Sequence, residues 1–166
     1  MRVALVVAAL IAVAHPAHAG DDDPPFVIGS TPSWSMLAGL TTGGSFGVGD
    51  NGGNGALVGG EVSLAVLRDK EFAGIYGDAF YDWGAGAPTI TAGPELGYFL
   101  TGLDGGIALR FGDKTDVGLA ARLTVGLGAV GVYVRYMHFF DVMEEENVVQ
   151  AGLVLKLPVW TRGGTR

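Results

Sequence analysis

Polar and apolar residues alternate one by one through much of the second half of the chain, and the charges keep to one side of that alternation. In Val117-Gly118-Leu119-Ala120-Ala121-Arg122-Leu123-Thr124-Val125 every odd position is apolar, and the even positions are small or polar and include Arg122. Val130-Gly131-Val132-Tyr133-Val134-Arg135-Tyr136 repeats the scheme with Arg135. Successive side chains of a β-strand point to opposite faces, so each stretch has one apolar face and one face bearing a cation. A soluble sheet hides the apolar face and wets the charges. A sheet closed on itself in a membrane turns the apolar face to lipid and encloses the charges.

Eight segments carry a strand pattern: residues 33–41, 56–67, 72–82, 89–100, 105–111, 117–126, 130–139 and 148–157. Most are near the roughly 9–11 residues that a tilted membrane strand needs. Turn-forming residues separate them, as in Arg68-Asp69-Lys70, Gly112-Asp113-Lys114-Thr115 and Gly126-Leu127-Gly128. No helical period extends over a helix length beyond the N-terminal apolar run. The expected fold is all-β, an eight-stranded antiparallel up-and-down transmembrane β-barrel. An even strand count puts both ends on one side. On that side the connections 68–71, 101–104 and 127–129 are very short. The opposite connections, 42–55, 83–88, 112–116 and 140–147, are mostly longer, which is the outer-membrane habit. Pro94 falls inside the fourth segment, where a closed barrel has no edge to tolerate a missing N–H. A bulge, a shifted register or a later strand start is expected there.

With the apolar positions facing out, alternation assigns an inward face. It points Gly59, Glu61 and Ser63 inward from the second strand, and Gly74, Tyr76, Asp78 and Phe80 from the third. The fourth gives Thr91, Gly93, Glu95 and Gly97. The fifth gives Ala108 and Arg110, the sixth Arg122 and Thr124, and the seventh Tyr133, Arg135 and Met137. The eighth gives Gln150, Gly152 and Lys156. Three acids and four cations thus share one interior: Glu61, Asp78 and Glu95 with Arg110, Arg122, Arg135 and Lys156. Buried ions cost several kcal/mol each unless they pair or stay wet, so an interior ion-pair network is expected. Inward glycines make room for large inward residues such as Tyr76, Arg122 and Tyr133. An eight-stranded barrel is just wide enough for side chains to fill, which leaves no diffusion channel. Carboxylates in a cleft also serve as general acids or bases, but each of these has candidate cations nearby, and a structural network is the commoner cause. No catalytic residue is assigned, and no cofactor or metal is expected.

The outward face is uncharged: Val58, Val62, Leu64, Ile75, Ala79, Leu96, Ile107, Leu109, Leu119, Leu123, Val132, Val134, Leu153 and Leu155. A cation near the bilayer midplane costs roughly 2–4 kcal/mol, so a membrane wall excludes it. A soluble ligand-binding barrel shows the reverse pattern. Aromatic residues fall near strand ends and predict two belts. Trp34, Tyr98 and Trp160 lie toward the periplasmic rim. Tyr81, Trp83, Phe111, Tyr136, Phe139 and Phe140 lie toward the outer rim.

The N-terminus adds the compartment. Arg2, the apolar run from Val3 to Ala14 and Ala17-His18-Ala19 read as a secretory signal with its cleavage site before Gly20. The expected organisation is a signal peptide over 1–19, an acidic Pro-containing leader over 20–32, the barrel over 33–158 and a C-terminal tail over 159–166. Arg2 is the only charged residue in the signal, so its removal takes the formal net charge of −7 to −8. Such acidity disfavours nucleic acid as a partner. The chain has no Cys, which excludes disulfides, thiolate metal sites and a lipid anchor on cysteine.

The last strand, Gln150-Ala151-Gly152-Leu153-Val154-Leu155-Lys156-Leu157, resembles the C-terminal signal read by the barrel-assembly machinery. Gln150, Gly152, Leu155 and Leu157 fit that signal. Such barrels usually end on an aromatic residue, whereas this chain continues through Pro158 to Arg166. Over about residues 33–157 the pattern is similar to the small eight-stranded outer-membrane barrels of the OmpA/OmpX type. The resemblance implies an integral outer-membrane protein with a structural or surface-interaction role, not an enzyme. The partners it implies are outer-membrane lipid, lipopolysaccharide and the assembly machinery.

Two outer loops carry candidate chemistry. Gly49-Asp50-Asn51-Gly52-Gly53-Asn54 offers oxygens to Ca²⁺ but lacks the spacing of a known loop. Asp141 with Glu144-Glu145-Glu146 makes an acidic rim. Three rival functions fit less well. A lipid-modifying barrel enzyme would use His138, but no Ser lies beside it. A narrow pore would need an open interior. A soluble periplasmic barrel would bind a small apolar ligand.

Overall fold

The computed structural model describes residues 32–48, 53–127, 129–140 and 146–163. The expected signal peptide, nearly all of the leader, and Asp141, Glu144 and Glu145 lie outside those residues. So does most of the Gly49–Asn54 loop.

Eight strands form one closed barrel in sequence order: β1 Ser33–Val48, β2 Asn54–Arg68, β3 Glu71–Asp82, β4 Ala87–Tyr98, β5 Thr101–Phe111, β6 Thr115–Leu127, β7 Val130–Phe139 and β8 Glu146–Gly163. Every neighbouring pair is antiparallel, and β1 closes on β8. Following partners from Gly39 leads to Glu61, Asp78, Thr91, Ala108, Gly118, Phe139 and Glu146. The partner of Gly39 on β8 is Lys156, so one circuit returns ten residues away. A stagger of that size tilts the strands by roughly 40° to the barrel axis.

The alternation sets which face is inside, but the strands run further than turn residues suggest. β1 reaches Val48 rather than 41, because Thr42 to Val48 keep pairing with both β2 and β8 as far as those strands extend. β5 begins at Thr101, four residues earlier than expected, and the turn before it is Phe99-Leu100. β8 runs to Gly163 and takes in residues assigned to a tail. It does so through a bulge: Leu37 pairs with Pro158 and Met36 with Trp160, leaving Val159 unpaired. A bulge suits a proline that cannot donate to the ladder.

Pro94 needs none of the three expected adjustments. It pairs in unbroken register with Ile75 of β3. Toward β5 the ladder opens at Gly93 and Pro94 and resumes in the same register at Glu95 and Asp104. The missing N–H is absorbed by a local gap opposite Gly105 and Gly106.

Inward glycines act mainly through the wall itself. At the closing seam Gly43 pairs with Gly152. A Cβ on Gly152 would stand 2.0 Å from the Thr42 carbonyl oxygen, and one on Gly43 would stand 2.3 Å from that of Ala151. Closure therefore depends on two bare backbones meeting there. The interior is filled. Leu57, Phe80, Ala108, Ala120, Met137, Phe139 and Val148 pack together toward the end that carries the longer loops. The ionic layer lies beneath them, nearer mid-barrel.

Candidate functional site

Mid-barrel alternation brings charged side chains from seven strands, β2 to β8, into one buried layer. Arg122 on β6 is its hub. Its Nη1 donates to Glu61 Oε2 at 2.5 Å, and its Nε donates to Asp104 Oδ2 at 2.5 Å. Its Nη1 also stands 3.6 Å from Asp78 Oδ2. Arg135 on β7 donates Nη2 to the same Asp78 oxygen and Nη1 to Gln150 Oε1 at 3.3 Å. Thr91 completes Asp78 by donating to Oδ1 at 2.5 Å. Lys156 on β8 pairs with Glu61 Oε1 and with Glu95 Oε2, the latter at 3.2 Å. Ser63 lies between the two glutamates, its one hydroxyl proton within reach of Glu61 Oε1 at 3.3 Å and Glu95 Oε2 at 3.1 Å, and its oxygen accepts from Lys156 Nζ at 3.2 Å. Arg122 and Arg135 are buried to within 1 %. Aromatic faces cover what the carboxylates leave: the Arg122 guanidinium lies over Tyr76, and that of Arg135 over Phe80 and Tyr133.

All seven expected interior charges face inward, but they do not form a single group. Arg110 belongs to a separate cluster toward the loop end. Its Nη1 and Nη2 donate to Glu146 at 3.0 and 2.5 Å, and its Nε donates to Asp116 at 3.1 Å. Its guanidinium packs on Phe139, 4.2 Å from the ring centre. Glu146, expected on a solvated acidic rim, is therefore turned to Arg110. Phe139, expected in the outer belt, is buried inside because it shares the inward parity of Tyr133, Arg135 and Met137.

Asp104 is the residue that sequence reading missed. Its run Thr101-Gly102-Leu103-Asp104 has turn composition, yet Asp104 shares the parity of Ala108 and Arg110 and faces Arg122 directly across the ladder. Extending the alternation backward would have found it. With Asp104 added and Arg110 removed, the middle layer sets Glu61, Asp78, Glu95 and Asp104 against Arg122, Arg135 and Lys156. The expected surplus of cations becomes a surplus of acids. Asp82, one level nearer the loops, accepts from Gln150 Nε2 at 3.2 Å and from the Gly84 N–H at 2.8 Å.

The four residues of the expected assembly signal occupy three environments. Gln150 is buried between Arg135 and Asp82, and Gly152 sits at the seam. Leu155 and Leu157 face outward. The outer wall is otherwise as alternation predicts, with Ile75, Leu96, Ile107, Leu119, Leu123, Val132, Val134 and Leu153 each about half exposed or more. Trp34, Tyr98 and Trp160 are exposed near the terminal end, where Phe99 joins them. Trp83, Phe111, Tyr136 and Phe140 are exposed near the loop end, where Phe46 joins them. No helix among the described residues is long and apolar enough to cross a membrane.

The chain is similar in structure to Ail, the attachment invasion locus protein of Yersinia pestis. That protein was solved in complex with the heparin analogue sucrose octasulfate. The match has a TM-score of 0.40 and 14 % identity, and covers 76 % of this chain and 99 % of Ail. No protein-family model matches the sequence, and no curated protein does. Strand number, antiparallel order and closure are those that the resemblance to small eight-stranded outer-membrane barrels implies.

Proposed function

We propose that the protein is an integral outer-membrane barrel with a structural or surface-interaction role, exported through its N-terminal signal. The observation that carries this reading is the inversion of the wall. Arg122, Arg135, Glu61 and Asp78 are enclosed, while leucine, valine and isoleucine cover the outside between two rims of aromatic residues. Water would favour the opposite arrangement; hydrocarbon favours this one. The termini and two-residue turns such as Asp69-Lys70 then lie on the periplasmic side, and the longer loops lie outside. Outer-membrane lipid and lipopolysaccharide contact the wall. The barrel-assembly machinery reads Gln150, Gly152, Leu155 and Leu157. The apolar cluster above an ion-paired layer supports a closed interior rather than a pore.

Membrane fractionation with heat-modifiable gel migration tests the reading. The protein is expected to stay with the outer membrane and to shift on boiling. Extraction into buffer without detergent would refute it. Planar-bilayer recording is expected to show no conductance.

A further inference from the structure

The outward wall carries a hydrogen-bonded polar group near the loop end of its last hairpin. His138 on β7 and Asn147 on β8 are direct cross-strand partners, with Tyr136 on the diagonal. Asn147 Oδ1 accepts from the Tyr136 hydroxyl at 2.5 Å and from His138 Nδ1 at 2.9 Å. Phe140 packs edge-on against the His138 ring at 4.7 Å between centroids. An amide oxygen only accepts, so Nδ1 carries the proton and Nε2 of the neutral ring is an acceptor. The Asn147 amide nitrogen is a donor. Neither Nε2 nor that nitrogen has a partner among the described residues.

Two fixed side chains therefore offer a donor beside an acceptor, next to the exposed rings of Tyr136 and Phe140. Their surroundings are apolar: Leu119 lies against His138, Val48 against Asn147 and Val149 against Tyr136. A polar group at the edge of hydrocarbon is satisfied by what the headgroup layer supplies. A phosphate calls for two donors or a cation, and this site has no Lys or Arg. Adjacent hydroxyls on a sugar ring match a donor beside an acceptor, and the ring's C–H face matches the aromatic side chains.

We propose that Tyr136, His138 and Asn147 form a binding site for the sugar ring of a membrane glycolipid in the leaflet at the loop end. The proposal rests on the outer-membrane reading above. The test uses the full-length folded protein in detergent, with native mass spectrometry to measure binding of a diglucosamine glycolipid, of its phosphate-free form and of phosphatidylglycerol. The wild type is expected to prefer both glycolipids over phosphatidylglycerol. His138→Phe and Asn147→Leu, each shown to be folded by heat-modifiable migration, are expected to weaken glycolipid binding about tenfold, the worth of a lost hydrogen bond or two. Tyr136→Phe keeps the ring and is expected to weaken it less. Unchanged binding in folded variants overturns the site, as does binding that vanishes with the phosphates. A wild-type protein that never inserts into vesicles overturns the membrane reading instead.

Discussion

Arg122 and Arg135 are direct cross-strand partners, and one carboxylate oxygen of Asp78, from the opposite wall, stands against both guanidinium groups. Like charges face to face on a ladder repel. Here the repulsion is relieved by a single acid from β3, with Glu61 and Asp104 holding Arg122 on its other sides. Breaking a buried ion pair from one side costs about 3–5 kcal/mol, because the remaining charge is stranded. Asp78→Asn is expected to destabilise the barrel on that scale, measured by urea unfolding in lipid with Trp fluorescence. Asp78→Asn combined with Arg135→Met is expected to cost less than Asp78→Asn alone. Additive losses in the double mutant would show that the two side chains are not coupled.

The seam gives a second prediction. Gly152 to Ala places a methyl carbon where the Thr42 carbonyl now stands, against backbone that has no rotamer to yield. Gly152→Ala is expected to block or slow closure, seen as loss of the heat-modifiable band during refolding into lipid. Gly77 has nothing within 4 Å of an added Cβ, so Gly77→Ala is expected to refold normally. Equal refolding of both would separate glycine at 152 from closure.

How far the sequence could be read depends on which force set each feature. Facing was legible because a period of two is fixed by strand geometry: Glu61, Asp78, Glu95, Arg122 and Arg135 all face where alternation puts them. Strand ends were not, because Gly and Asp mark turns only in water-exposed chain. In this barrel Gly102 and Asp104 lie within a strand, while the turn falls at Phe99-Leu100, with Phe99 at a positive φ of 53°. Partnership was also hidden. Alternation shows that Arg110 points inward, but only the stagger of the strands decides that it meets Asp116 and Glu146 rather than Glu61.

That separation predicts two different responses to salt. The Glu146 and Asp116 side chains are about a quarter exposed, while those of the middle layer, apart from Lys156, are nearly sealed. Raising ionic strength to about 1 M shortens the screening length to roughly 3 Å for exposed charges and leaves sealed ones little changed. Glu146→Gln is expected to cost about 1 kcal/mol at low salt and less at high salt. The loss from Asp78→Asn is expected to persist. Parallel unfolding series at two salt concentrations check this, and a salt-sensitive Asp78→Asn loss would mean that water reaches the middle layer.

A charge moved along the outer wall discriminates between lipid and water as the barrel's solvent. Leu123 is about half exposed at mid-wall, between Leu103 and Val134, and Leu127, at the end of β6, is 77 % exposed. In a bilayer Leu123→Arg is expected to cost roughly 2–4 kcal/mol and Leu127→Arg roughly 0–1, since the penalty falls with distance from the midplane. A wall facing water has no such depth dependence, and arginine at either exposed leucine would leave stability nearly unchanged. Unfolding free energies of the two variants in the same lipid vesicles decide the matter. A depth-independent result would remove the physical reason for enclosing Arg122 and Arg135.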